Sequence, residues 1–535
     1  MTNSQSDKFT RRNALMRGAG LGAGVLALPS VLEACGGSGA SSGSTGSTAG
    51  GTPKNGGNLA LGLVGAGNAE TLSPLGATYL PDYTRIPSLF DPLVALADDG
   101  SVIPALAESW TPNKDGTVWE IKLRKDVTFH DGSPLTADDV IWTVQRMSLP
   151  TSVGAPFTAN IRVKELKKGD AHTVIWPLYL ANARPLDDFV GANPNCYIFK
   201  NGLKDFSKPV GTGPWKFESF TPGQRSVFAR NENYWGAKPH PEKFTLVTSF
   251  QDETSLGNAV LGGQLHGASG FSATEFRSLK AAGNVTTYSV PGSQDLTFYM
   301  RADRPPFTDV RVRQAMRLII DRQQIVDVVM DGQGIVLNDL YGKGLPLYAK
   351  DIPQRTPDIE QAKSLLKAAG QENLQVTLTV GDIWGGMTAA AQLYAQQAQA
   401  AGVTINVKKI LPSDVFNTAT GYPYTFSETD WPLSSLAYQY GEALAENAPF
   451  NETAQASNKA WQKMYVAAQG TLDSSLQQER WSAVQKSLWD SGGYIFYGRP
   501  NTLAVASPHV KGVKTNTFLG GVIGPQTPVN GLWLD

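Results

Sequence analysis

The sequence predicts an α/β protein of more than one domain, and three observations carry that prediction. Helix and strand patterns alternate along the body of the chain, as they do where helices pack on a mostly parallel sheet. Residues 374–410 read as a complete strand, helix and strand unit. About 480 residues follow position 57 of a 535-residue chain that is 41% hydrophobic, enough for two or three domains and a sizeable core.

Taken in order, the elements begin with a leader. Arg11 and Arg12 precede an uncharged Gly/Ala/Leu-rich run over residues 18–32. That run is shorter than the roughly 20 apolar residues a spanning helix needs, and its basic front end reads as an export signal. The paired arginines resemble a twin-arginine (Tat) signal. Leu32-Glu33-Ala34-Cys35 resembles a lipobox, which makes Cys35 the expected lipid-modified residue, with Glu33 an unusual member of such a motif. Residues 36–57 are almost wholly Gly, Ser, Thr and Ala and bury too little apolar surface to fold. They read as a tether spanning roughly 25 Å root-mean-square.

In the body, Thr136-Ala137-Asp138-Asp139 has the spacing of a helix cap, with Val140, Ile141, Val144 and Met147 following at helical intervals. A second helix is expected from Thr308-Asp309, with Val312, Met316 and Ile319 or Ile320 on one face. A third is expected from Thr356-Pro357, proline occupying the first helical position, with its end at Gly370. Leu374, Val376, Leu378 and Val380 alternate as a strand, an Ala/Gln-rich helix follows to Gly402, and Val403, Ile405 and Val407 alternate again. Such a unit closes right-handed with parallel strands, and ligands of such sheets lie beyond the strands' carboxyl ends. The loop 381–386 occupies such an end, which makes Trp384 a candidate cleft residue. A core aromatic is the competing reading.

Composition excludes several partners and chemistries. A net charge of -1 with no basic cluster after the leader argues against nucleic acid. With Cys35 committed to lipid, Cys196 is left without a partner for an intramolecular disulfide and reads as a small buried hydrophobe. Outside the Gly/Ser-rich tether, where residues 39–43 match the letters by composition alone, the sequence has no GxSxG elbow, and it has no phosphate loop ending in Gly-Lys-Ser/Thr and no HExxH or CxxC spacing. The five histidines are scattered, and His130 reads as a structural hydrogen-bonding group. No cofactor, metal or enzyme activity is expected, a carboxylate-pair hydrolase being the enzyme reading weighed and set aside.

Four blocks carry a family resemblance: residues 90–143, with Phe-His-Asp-Gly inside it; 209–217 (PVGTGPWKF); 230–239 (RNENYWGAKP); and 306–322 (PFTDVRVRQAMRLIIDR). In that order they resemble the family 5 extracytoplasmic solute-binding proteins, the oligopeptide, dipeptide and nickel-type receptors of bacterial ABC importers. The resemblance implies a type II periplasmic-binding-protein-like fold of the cluster C type, two lobes with a hinge and an additional domain. It implies a first lobe from residues 58–88, 209–295 and 505–535, the additional domain at 89–208, and a second lobe at 296–504, after a leader at 1–35 and a tether at 36–57. It implies capture of a peptide or another small solute, hinge closure, and delivery to an ABC permease with its ATPase subunits. The receptor is expected to be a monomer on the outer face of the cytoplasmic membrane, held by its lipid alone.

The same resemblance implies site residues. Residues 424–432, YTFSETDWP, read as a strand ending in an acidic residue, an indole and a proline. Asp430 matches the aspartate of an Asp-aromatic motif that pairs with a peptide's α-ammonium in the peptide-binding branch. A carboxylate suits that task because charge-assisted hydrogen bonds contribute roughly 1.5 to 3 kcal/mol. Ser427 stands where relatives often carry an aromatic, and Trp431 is a candidate for the missing stacking surface, on a peptide or on a sugar ring. Residues 65–74 resemble the ligand-holding loop after the first strand, with Asn68 as its candidate contact and Ser73 in place of the usual aspartate. Import of an oligosaccharide, a nickel chelate or another small solute, and a sensory or adhesion receptor, are the alternatives.

Overall fold

The computed structural model describes residues 52–535 apart from 98, 190–192, 416–422, 447, 449 and 516–528. Arg11, Arg12, Cys35 and the tether up to residue 51 lie outside the described residues. Two half-sheets share one strand, Tyr494–Ala506. Its first residues pair antiparallel with Gln294–Met300, from Tyr494 opposite Tyr299 to Gly498 opposite Leu296. Its last residues pair with Thr286–Pro291 and Gly267–Ser269. The first half-sheet continues outward through Asn58–Val64, Lys243–Phe250, Arg225–Arg230 and Trp215–Thr221. The second continues from Gln294–Met300 through Phe426–Pro432, Gln375–Val380 and Thr404–Lys409. This is the mixed α/β, type II fold that the resemblance implies.

The chain passes between the half-sheets at two places side by side: at Arg499 to Asn501 within the shared strand, and at Gly292 and Ser293 between Thr286–Pro291 and Gln294–Met300. Gly292 N donates to the Pro500 carbonyl at 3.1 Å. A Cβ at Gly292 would lie 2.3 Å from that oxygen, so the two crossings approach as closely as they do because Gly292 has none. Next to them, buried Arg499 donates through Nε to Asp295 at 2.6 Å, and the other Asp295 oxygen accepts from Gly342 N at 2.8 Å.

The strand, helix and strand unit forms as read: Gln375–Val380 lies parallel to Thr404–Lys409, with helix Met387–Ala398 between them. The helix Ala137–Met147 starts at the expected capping box, with Val140, Val144 and Met147 fully buried. Val310–Ile319 starts from Asp309, whose carboxylate accepts from Arg311 N. The third helix begins later than Pro357 at its first position would require. It runs Ile359–Ala368 because Asp358 is the cap, accepting from Gln361 N at 2.8 Å and leaving Pro357 just outside.

A four-stranded antiparallel sheet in the order Ala107–Pro112, Val118–Leu123, Thr173–Pro177, Lys167–Asp170 carries the Ala137–Met147 helix. Its apolar cluster is continuous with the second half of the molecule, joining Trp119 and Trp176 to Trp431, Tyr440, Trp461 and Trp481. The seam between them is closed. Phe157 and Tyr438 stack with centroids 4.4 Å apart and rings 12° from parallel, and Ala183 N donates to the Gln469 carbonyl at 2.8 Å.

Candidate ligand site

Phe426–Pro432 pairs antiparallel with Gln294–Met300 on one side and meets Gln375–Val380 in parallel on the other, at Thr379 opposite Ser427. Strand alternation places Phe426, Glu428 and Asp430 on one face and Ser427, Thr429 and Trp431 on the other. Because Phe426–Pro432 and Gln375–Val380 run parallel, Asp430 and the loop 381–386 emerge at the same edge of the sheet.

Two carboxylates hold that loop. Glu428 Oε1 accepts from Gly381 N at 2.8 Å and from Ile383 N at 3.3 Å. Asp430 Oδ2 accepts the Trp384 indole Nε1–H at 2.9 Å, and it also accepts the Gln294 amide Nε2–H. Glu428 is fully buried and Asp430 is 2% exposed, whereas Trp384 is only half-buried. Burial pushes the Glu428 carboxyl up to about 7 from 4.5, and the nearby Asp382 and Asp430 carboxylates push the same way against the two backbone hydrogen bonds. Asp382 takes a left-handed backbone with φ 54° and accepts from Thr388 N at 3.0 Å, which turns the loop into the Met387–Ala398 helix.

The structure thus brings Asp430 and Trp384 into direct contact. Ser427 and Trp431 sit on the opposite face: Ser427 Oγ donates to the Thr379 carbonyl at 2.7 Å, and Trp431, 3% exposed, packs edge-on against Phe450 at 5.6 Å. Asn68 is exposed in a 3-10 turn, Gly67–Ala69, in the first half of the molecule. That turn hangs on a group the sequence reading passed over, Glu70. One Glu70 oxygen accepts from Arg85 at 2.6 Å, from Gly223 N at 3.0 Å and from Thr248 Oγ1 at 3.0 Å, while the other accepts from Ala66 N at 2.9 Å. Arg85 also donates to Ser226 Oγ at 2.6 Å and to Asp82 at 3.1 Å, all without solvent contact. Gln294 and Glu428 were missed as well. The signal for Glu428 was available, since residues two apart in a strand share a face.

His130 is structural, as expected. Its Nε2 lies 3.0 Å from the Gly213 carbonyl, and burial holds the ring well below its ordinary range, at about 4. Cys196 is fully buried. Along the closed seam a cavity of about 30 Å³ lies between Asn182, Arg184 and Asp187 on one side and Leu345, Ser435 and Trp481 on the other. No helix among the described residues is long and apolar enough to cross a membrane.

Comparison with known proteins agrees with this architecture. A family model described as bacterial extracellular solute-binding proteins, family 5 Middle, matches residues 101–482. The chain is 29% identical over 315 residues to the nickel-binding periplasmic protein of Escherichia coli K12, an alignment spanning 55% of this chain and 58% of that protein. It is 24% identical over 459 residues to a probable di/tripeptide-binding protein 5 of Pseudomonas aeruginosa, covering 79% of this chain and 86% of that one. Its fold is similar to that of the ABC transporter substrate binding protein CtaP of Listeria monocytogenes, with a TM-score of 0.76 at 21% identity, covering 90% of this chain and 100% of the other. With the match spanning most of its length, the chain belongs to the bacterial extracellular solute-binding proteins of family 5.

Proposed function

We propose that this protein captures peptides outside the cell and delivers them to an ABC permease by hinge closure. The observation that carries the reading is the Asp430 carboxylate at the carboxyl end of its strand, held by two neutral donors, the Trp384 indole and the Gln294 amide. In this reading a ligand with a cationic end gains charge-assisted hydrogen bonds to the carboxylate that a ligand without one does not make. A relative named as a di/tripeptide-binding protein supports the ligand class.

A lobe partition of 58–88, 209–295 and 505–535 against 296–504, with 89–208 as the additional domain, draws support from the paired crossings at Gly292 and Pro500. In this reading the ligand bridges both lobes and biases the open and closed states. Export by the Arg11-Arg12 leader and anchoring through Cys35 hold a monomer on the outer face of the membrane, where it meets the permease and its ATPase subunits. The relative named as a nickel-binding protein favours a second reading, import of a metal chelate or another small solute.

The deciding experiment is native mass spectrometry of protein purified from its own host or from a rich lysate. Retained masses that fragment into amino acids support peptide capture. A retained hexose series or a metal chelate replaces that reading with the corresponding alternative.

A further inference from the structure

Glu428 is fully buried beside the candidate site and shares a strand face with Asp430. One of its oxygens takes two successive odd-numbered amides of the 381–386 loop, Gly381 and Ile383. Its other oxygen, Oε2, is buried and has no hydrogen-bond partner among the described residues. The Tyr497 hydroxyl, on the shared strand, is buried and equally unpartnered among them. Tyr497 lies on the same face, its ring 4.9 Å from Phe298, and its hydroxyl feels Glu428 first and then Asp382 and Asp430. The groups around Glu428 are therefore Asp382 from the loop, Asp430 from its own strand and Tyr497 from the shared strand, with neutral Trp384 and Gln294 beside them.

We propose that Glu428 is a positioning residue: by fixing the backbone of the 381–386 loop it sets the Trp384 indole on Asp430, and so controls the carboxylate that meets the ligand without touching the ligand itself. A carboxyl group is suited to this task because one oxygen accepts from both amides, which would otherwise be left short of partners. The functional half of the proposal rests on the reading of Asp430 as the ligand's anchor. The geometric half does not.

The test reads the Trp384 indole N–H directly, by amide-type proton–nitrogen NMR of the purified protein. The signal is picked out from those of the 12 tryptophans by its loss in Trp384→Phe. In the native protein it is expected to shift with a midpoint near pH 7, the value to which Glu428 is pushed. In Glu428→Gln, which keeps shape and fold, that titration should vanish, and in Glu428→Leu the signal should leave its native position. A Trp384 signal that ignores pH from 5 to 9 in the native protein and keeps its native position in Glu428→Leu overturns the proposal. Trialanine is the ligand probe: its affinity should fall about tenfold in Glu428→Leu or in Trp384→Ala and no further in the double variant, the mark of residues acting as one unit. Additive losses overturn the coupling. Failure of the native protein to bind trialanine overturns the peptide reading, while the NMR result still decides the geometry.

Discussion

The Trp384 indole donates to Asp430 across the end of two parallel strands, at 2.9 Å, although 46 residues separate the two in sequence. An aromatic from one loop and a carboxylate from the neighbouring strand thereby form one polar unit, and substitutions there should be felt by the ligand before they are felt by the fold.

Asp430→Asn keeps an acceptor for the indole but removes the charge. Peptides with a free amino terminus should bind roughly 10- to 100-fold more weakly, the equivalent of about 1.5 to 3 kcal/mol, and N-acetylated peptides should change little. Calorimetric titration of matched pairs checks this, and equal losses in both series would remove the ammonium anchor.

The raised Glu428 pKa makes stability depend on pH with a definite sign. Below about 4.5 the carboxyl is neutral in both states, and its contribution is fully present. As pH rises toward 7 the unfolded chain ionises first, so the folded state loses up to about 3 kcal/mol relative to its acid value. Asp82, pushed up to about 6 by burial, adds a slope of the same sign. The difference between native protein and Glu428→Gln isolates the first term: urea midpoints should favour the variant increasingly from pH 5 to pH 8. A constant difference would sink the assignment.

Trp431 faces the core, so Trp431→Ala should cost about 3 to 5 kcal/mol of stability through the cavity it leaves under Phe450. Denaturant unfolding measures it. Selective loss of an oligosaccharide ligand with unchanged stability would instead restore Trp431 as a stacking surface.

Glu70→Ala strands Arg85 without its principal carboxylate in a site closed to solvent, a change expected to cost about 3 to 5 kcal/mol. Thermal unfolding should reveal it, and Glu70→Gln should recover part of the loss by retaining an acceptor for Ala66 N.

Gly292→Ala should fold poorly or shift the crossing, since its methyl would meet the Pro500 carbonyl. Slower ligand-induced closure, followed by stopped-flow fluorescence, together with a lower unfolding midpoint, is the expected result. Native values for both would mean that the backbone yields there at no cost.

Much of the second half was legible in the sequence because its cues are local. The alternation at 374–380 and 403–407 and the cap at Asp309 each need only a few neighbouring residues; the rule that ligands lie beyond strand ends led to Trp384, and the family resemblance to Asp430. What escaped was either non-local or masked. Gln294 reaches Asp430 from 136 residues away, and nothing around it marks it as polar machinery. The shared strand was not read because Pro500 interrupts YIFYGRPNTLAVA, and proline ordinarily ends or edges a strand. Here the residue without an N–H stands where the strand exchanges one set of partners for another, and its carbonyl still accepts from Gly292 N. Trp431 was read as a possible ligand surface although its adjacency to Asp430 in a strand already assigned it the opposite face.

The shared strand also bears on how this receptor could be turned into a reporter. Cutting the chain near residue 500, or inserting a fluorescent domain there, would interrupt the strand common to both half-sheets, beside the close crossing at Gly292. Labels belong instead on opposite sides of the Ala183 and Gln469 seam, where a side chain can be changed and no backbone ladder is severed.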